Sequence, residues 1–343
     1  MTIPAVSTDA RVISDPLMSV RGLSIDLVGQ TRQTGLVEDV SFDVPSGRSV
    51  ALIGESGCGK TLTAMSILRL LPPALKVSRG EIVFDGSDLL QASNRELRGV
   101  RGGPVGMIFQ DPMSSLNPTM TVGDQIAESR RLHLGESRRE ARAKAKGLLD
   151  RVGIANATRR LNVYPFELSG GMQQRVMIAA AIACDPKLLV ADEPTTALDV
   201  TIQADVLELL RSLQGEMGLS VLLVTHDLGV VADFCDQVVV MYAGHVVERT
   251  GVEEVFADPR HPYAEALLHS VPQAGRSRSM LNVIPGRVPP AGAFPTGCRF
   301  QPRCVYAIEE LCSAPQAELE PTPGHLCRCV RTGTGELSLG RQT

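Results

Sequence analysis

Hydrophobic and polar residues alternate through residues 36–44 (LVEDVSFDV), the period-two pattern of a half-buried strand. Pro45, Ser46 and Gly47 turn the chain into a second strand, RSVALIG, which leads through a Gly-rich turn into an apolar helix over about residues 59–70. From about residue 121 to residue 182 the spacing is helical, in TVGDQIAESRRLHL, ESRREARAKAKGLLDRVGI and SGGMQQRVMIAAAIA, so a helical insertion is predicted. KLLVADEP then reads as a buried parallel strand, DVTIQADVLELLRSLQGEMG as an amphipathic helix closing on Gly218, and LSVLLVTHD as another buried strand. VVVMYAGHVVERTG reads as a hairpin turned at Ala243 and Gly244 that ends the core. Alternating strands and helices predict an α/β core with ligands at the carboxyl ends of the strands.

Residues 1–17 lack any period and read as a tail, residues 18–257 hold the core, and residues 258–343, rich in Pro, Gly and Cys, read as a C-terminal extension. The net charge of −4 over 343 residues gives no general attraction to nucleic acid, and no nucleic-acid partner is expected. The first 20 residues lack a basic start followed by an apolar run, so a cytoplasmic location is expected. The longest strongly apolar run, VMIAAAIAC, is far shorter than the roughly 20 residues that span a bilayer. Any link to a membrane is therefore expected to pass through a partner. The basic cluster of Arg130, Arg131, Arg138, Arg139, Arg142, Lys144 and Lys146 reads as a solvated helix face.

GESGCGKT has the spacing G-x-x-x-x-G-K-[ST] and sits after a buried strand, opening a helix. In that setting backbone amides curl around phosphate oxygens and the helix N-terminus adds its positive dipole end. Gly54, Glu55, Ser56, Gly57, Cys58, Gly59, Lys60 and Thr61 are thus candidate ATP-binding residues, with Lys60 for the β- and γ-phosphates and Thr61 for Mg²⁺. Asp192, ending KLLVAD, suits the metal, and Glu193 beside it suits orientation of the attacking water. Paired carboxylates also occur at solvated strand ends; the Gly-rich turn favours the catalytic reading.

LSGGMQQR (residues 168–175) closely resembles the signature sequence of ATP-binding-cassette (ABC) proteins. Gln110 in IFQDPMSSLNP resembles their Q-loop, TALD ending in Asp199 their D-loop, and His226 in LLVTHD their switch histidine. The resemblance implies an ABC-type P-loop ATPase core with an antiparallel β subdomain, a helical signature subdomain and a Cys-rich C-terminal extension. It implies a catalytic role for Gln110, Glu193 and His226, with Gln110 also near Mg²⁺. It further implies that Ser169, Gly170, Gly171, Met172, Gln173 and Asp199 close over ATP held by a second ABC ATPase subunit. Ser169, Gly170 and Gly171 are expected to cap the signature helix. Relatives usually place an aromatic residue before the Gly-rich turn to stack on adenine; Leu27 stands there here, so base stacking is expected to be weak.

QDPMSSLNPTMTVGDQI and MYAGHVVERTGVEEVFADPRHPYAEALLHS narrow the resemblance to the ATPase subunits of dipeptide and oligopeptide importers; nickel and glutathione importers share much of the pattern. The implied assembly has two transmembrane permeases, two cassettes and an extracytoplasmic substrate-binding protein, with this chain peripheral on the cytoplasmic face. The segment after Gln110 and part of the helical insertion would touch the permeases. A soluble, non-transport ABC ATPase is the rival reading, opposed by the lack of a long coiled-coil insertion and of basic character. A non-catalytic metal-sensing subunit is a second.

Five of the eight cysteines fall in one short stretch, with spacing C-x5-C-x7-C-x14-C-x-C from Cys298 through Cys304, Cys312 and Cys327 to Cys329. Reducing conditions disfavour disulfides, and four thiolates can hold Zn²⁺ or a [4Fe–4S] cluster, the remaining alternative being no metal at all. GCRFQPRC resembles the family's cysteine motif, which points to the cluster. By the same resemblance His325, four residues before Cys329, selects Cys329 over Cys327 as fourth ligand beside Cys298, Cys304 and Cys312. A structural or sensory role is implied, because ATP-driven transport needs no electron.

Overall fold

The computed structural model describes residues 16–29, 33–196, 199–270 and 284–339. The chain opens with β1 (Met18–Val28), β2 (Gln33–Val44) and β3 (Ser49–Ile53), followed by the helix Lys60–Ile67. β4 (Leu75–Phe84), β5 (Ser87–Asp88) and β6 (Val105–Ile108) lead into the helical region. Beyond it lie β7 (Leu188–Asp192), β8 (Ser220–Val224), β9 (Gln237–Tyr242), β10 (His245–Gly251), β11 (Leu319–Thr322) and β12 (His325–Cys327).

These strands form two sheets. One is antiparallel, in the order β2-β1-β4-β5; the other runs β11-β12-β10-β9-β3-β8-β7-β6. In the larger sheet β9, β3, β8, β7 and β6 pair in parallel. β3, β7 and β8 are buried at every position, as central parallel strands covered on both faces must be. β2 alternates instead, because only one of its faces is packed.

The insertion is helical, as its spacing predicts: Val122–Leu134, Arg138–Arg151 and Gly170–Ala181 pack around Val122, Ile126, Leu149, Val176 and Ile178, with no strand among residues 121–182. Thr121 caps the first of these helices, and Ser137 with Glu140 forms a capping box on the second. The basic cluster departs from its reading as a solvated face at two positions. Arg130 is buried, bonded to Glu136 and to the Ala183 carbonyl, and Arg142 is partly buried against Asp124 and Asn162.

The hairpin does turn at Ala243 and Gly244, both at positive φ, and Gly244 is obligatory: a Cβ there would lie 2.2 Å from the Leu36 carbonyl oxygen. It does not end the sheet. β12, from the C-terminal region, pairs with β10 through Glu248 and Cys327 and through Arg249 and Leu326. The junction is fixed by Glu248, a fully buried carboxylate that accepts hydrogen bonds from the backbone amides of Arg260 (2.8 Å) and His261 (2.7 Å). His325 Nε2 lies 2.7 Å from the same carboxylate.

Replacing Glu248 by Ala would strand these donors in an apolar setting at about 1–3 kcal/mol each. We expect Glu248→Ala to lose at least ~3 kcal/mol in chemical denaturation and to expose the segment after His261 to limited proteolysis first; wild-type stability would contradict the pinning role.

Candidate nucleotide site and cysteine cavity

The Gly-rich turn joins the end of β3 to the helix Lys60–Ile67 and is wedged against β9. Gly54 sits at φ 147°, where a Cβ would come 2.1 Å from the Met241 carbonyl oxygen. Gly59, at φ 103°, occupies the helix N-cap, where a Cβ would meet Val37 at 2.7 Å. Only glycine permits this approach of turn to strand. The Lys60 ammonium is buried and donates to the carbonyl oxygens of Gly54 (2.7 Å) and Glu55 (3.2 Å). Among the described residues no carboxylate lies within ion-pair distance of it.

Thr61, the first residue after Lys60, donates its hydroxyl to Asp192 Oδ1 at 3.1 Å, joining the turn to the end of β7. Burial pushes the Asp192 carboxyl above its ordinary value, the Thr61 hydroxyl opposes this, and the neighbouring Glu193 charge adds to it. Glu193 lies at φ 47°, a left-handed conformation that costs a non-glycine residue of order 1 kcal/mol or more. The turn swings its carboxylate away from the strand to meet three groups. Gln110 Nε2 donates to it at 3.0 Å, Thr196 Oγ1 at 2.8 Å, and His226 Nδ1 lies 3.2 Å away. Burial raises the Glu193 carboxyl, but the hydrogen bonds from Thr196 and His226 and the positive charge nearby outweigh it, leaving the group below its usual range.

The structure thus brings Lys60, Thr61, Gln110, Asp192, Glu193 and His226 to one place. It does not bring the signature residues there: among the described residues no hydrogen bond joins residues 169–173 to residues 54–61. Ser169 holds the N-cap position of the helix Gly170–Ala181, but its hydroxyl makes no capping bond, contrary to the expected cap. The first turn of that helix is left without a side-chain acceptor. Met172 is half-buried, and Gln173 is buried, its Nε2 bonded to the Pro165 and Leu168 carbonyls. Gln174, which the sequence reading passed over, ties this helix to the residue after Glu193 through the Pro194 carbonyl. Asp199 caps the helix Val200–Met217, and Leu27 is 41% exposed on β1.

Cys298, Cys304, Cys312 and Cys329 line one cavity with His261, Phe300 and Arg331. Gly297 permits the turn that pairs the Cys298 amide with the Cys312 carbonyl at 2.8 Å; a Cβ there would lie 2.1 Å from that oxygen. Burial pushes the Cys298 thiol up to about 12 and the Cys304 thiol up to about 11, each reinforced by the neighbouring cysteines. Cys327 is turned elsewhere, its sulfur 3.6 Å from the Thr332 hydroxyl. All eight cysteines are free, and among the described residues no group of three or more His, Cys, Asp or Glu side chains is gathered to hold a metal ion.

A glycine turn at the end of β3, with paired carboxylates at the end of β7 two strands away in the same sheet, is the architecture of a P-loop nucleotide hydrolase. The model of the ABC transporter family matches residues 37–196, and that of the oligopeptide/dipeptide transporter C-terminal region matches residues 247–312. The chain is 50% identical over 321 residues to a probable peptide ABC transporter ATP-binding protein of Sinorhizobium fredii, covering 93% of this chain and 96% of that one. It is 48% identical over 328 residues to a protein named as a peptide import ATP-binding protein in Brucella melitensis biotype 1, covering 92% and 97%. Among solved structures it resembles the ATP-binding cassette MJ0796, a dimer in a post-hydrolysis state bound to ADP and Pi, with 27% identity and a TM-score of 0.62 over 68% of this chain and 98% of that one. It also resembles cbiO1 from Clostridium perfringens, part of the cbiONQ ABC transporter complex, with 28% identity and a TM-score of 0.60 over 71% and 92%. The chain belongs to the family of ATP-binding subunits of peptide ABC transporters.

Because the folded pKa of Asp192 is raised above its unfolded value, the native state keeps this proton after the unfolded chain has lost it. Its contribution to stability is full below the ordinary 3.8 and is lost as pH rises through the raised value. In nucleotide-free protein at pH 7, Asp192→Asn should therefore unfold at or above the wild-type temperature while binding Mg·ATP more weakly. A loss of more than about 1 kcal/mol in apo stability would contradict this electrostatic assignment.

Proposed function

We propose that this chain hydrolyses ATP on the cytoplasmic face of a membrane and so powers uptake of di- or oligopeptides through partner permeases. The observation that carries the reading is the meeting of Gln110, Thr196 and His226 on the Glu193 carboxylate beside the Thr61–Asp192 pair. Residues 54–61 receive the phosphates, and the Lys60 ammonium exchanges carbonyl partners for phosphate oxygens. Thr61, Asp192 and Gln110 are the residues to hold Mg²⁺, which when bound offsets phosphate charge. Glu193, kept ionised, orients the attacking water, with Gln110 and His226 fixing the carboxylate from two sides.

Ser169, Gly170, Gly171, Met172, Gln173 and Asp199 serve the nucleotide of a second ABC ATPase subunit. The unfilled capping position at Ser169, exposed at the start of its helix, supports this, since such a terminus favours an anion. So does the dimeric state of the MJ0796 cassette. Two permeases and an extracytoplasmic substrate-binding protein complete the assembly. Exposed apolar side chains at Met113, in the segment after Gln110, and at Phe166, stacked on Tyr164, support permease contact there. No helix among the described residues is long and apolar enough to cross a membrane.

Cys298, Cys304, Cys312 and Cys329 are the residues to hold a [4Fe–4S] cluster, with Zn²⁺ the alternative. The shared cavity supports a group there, and Arg331, whose buried Nε has no partner among the described residues, lines it with positive charge suited to an anionic centre. When bound, the group cross-links the extension.

Glu193→Gln should keep ATP binding and lose about 10²–10⁴-fold in turnover; retained hydrolysis would remove the assignment. In anaerobically prepared protein, Cys329→Ser should lose iron and visible absorption while Cys327→Ser keeps both. An iron-free, fully active wild type would remove the cluster.

A further inference from the structure

The phosphate turn is held from outside by a segment more than 200 residues away in sequence. The Arg303 guanidinium forks the Glu55 carboxylate, with Nη1 2.6 Å from Oε2 and Nη2 3.0 Å from Oε1. The Glu55 amide donates to the Tyr263 hydroxyl at 2.8 Å. Both holding residues are buried, Tyr263 completely. Arg303 is itself oriented by the Pro285 carbonyl at 2.7 Å and by the Tyr242 hydroxyl at 3.3 Å. Tyr242, Tyr263 and Phe300 form a wedge of aromatic rings, 4.6–5.4 Å between centroids, that braces the fork.

This arrangement has an electrostatic consequence. Glu55 is a carboxylate inside a turn built to receive polyphosphate, where a negative charge opposes binding. A bidentate guanidinium cancels that charge and fixes the Glu55 carbonyl, one of the two oxygens that hold the Lys60 ammonium. The Glu55 amide is also committed to the Tyr263 hydroxyl.

Resting on the ATPase reading above, we propose that the C-terminal extension is a positioning element of the ATP site: Arg303 and Tyr263 act through Glu55 to set the shape and charge of the phosphate turn. ATP affinity is thereby made dependent on correct docking of the extension. Neither residue touches the reacting atoms.

The test is Mg·ATP binding to the full-length chain by calorimetry, with KM and kcat for ATP in the assembled transporter. Arg303→Gln should weaken ATP binding about tenfold, because it leaves the Glu55 carboxylate unneutralised beside the phosphates. In a Glu55→Gln background the same change should cost little, whereas a thermal-stability loss from the Pro285 and Tyr242 contacts should persist in both backgrounds. Equal weakening in the two backgrounds, or none in either, overturns the proposal. Should Arg303→Gln fail to fold, Tyr263→Phe, which deletes one hydroxyl, serves: KM for ATP should rise with turnover at saturating ATP retained, and an unchanged KM overturns it. A wild-type chain that neither binds nor hydrolyses ATP would instead sink the underlying ATPase reading.

Discussion

A buried ammonium with no carboxylate in direct ion-pair contact among the described residues governs the nucleotide site. Lys60 is 5% exposed and leans on two backbone carbonyls. Dipoles compensate a desolvated charge only in part, and a buried cation left unpaired is costly. The sheet tolerates the arrangement because Gly54 lets the turn lie against the Met241 carbonyl, where any side chain would collide. The fold thus holds a positive charge in place near Asp192 and Glu193 but in no direct ion pair among the described residues, open to an arriving anion. Affinity for phosphate is built from that unmet interaction, with the uncompensated helix terminus behind it adding to it.

The catalytic side answers with opposite charge held under tension. Asp192 and Glu193 are adjacent, yet their environments drive them apart. Asp192 lies at the end of a fully buried strand and is pushed up by burial, while Glu193, swung out at positive φ, is kept ionised by its hydrogen-bond donors. Neighbouring carboxylates separated in this way can take separate tasks, one at a metal and one at water. The backbone strain at Glu193 is the cost of placing the second carboxylate within reach of Gln110 and His226.

The phosphate turn, the strand ending at Asp192 and the hairpin at Ala243 and Gly244 were legible because each is a local pattern: glycine spacing, an apolar run, a turn pair. β1 was not, because its alternation is broken by register shifts between Arg21 and Ser24, and β4 was not, because Lys76 to Glu81 are largely exposed. The pairing of β12 with β10 was hidden for another reason: three residues in a Pro- and Gly-rich stretch carry no period. The site residues came from motif resemblance, but Thr196 and Gln174 did not, since neither stands out until the fold brings it to Glu193 or Pro194. Arg303 and Glu55, 248 positions apart, share nothing in sequence but opposite charge. The choice of Cys329 over Cys327 rested on resemblance; in the fold Cys329 lines the cavity and the Cys327 sulfur lies against the Thr332 hydroxyl.

The extension is tied to the core twice, by the buried Glu248 acceptor at the sheet edge and by the Arg303 fork at the phosphate turn. The second of these ties depends on the turn keeping its shape, and the turn is organised around Lys60. The most direct measurement is therefore the thermal stability of Lys60→Met with and without Mg·ATP. The apo midpoint should equal or exceed that of wild type, since a buried charge without a direct ion pair is replaced by an apolar chain of similar length, and the nucleotide-induced rise should be lost. A variant that is less stable without nucleotide and still stabilised by Mg·ATP would contradict this.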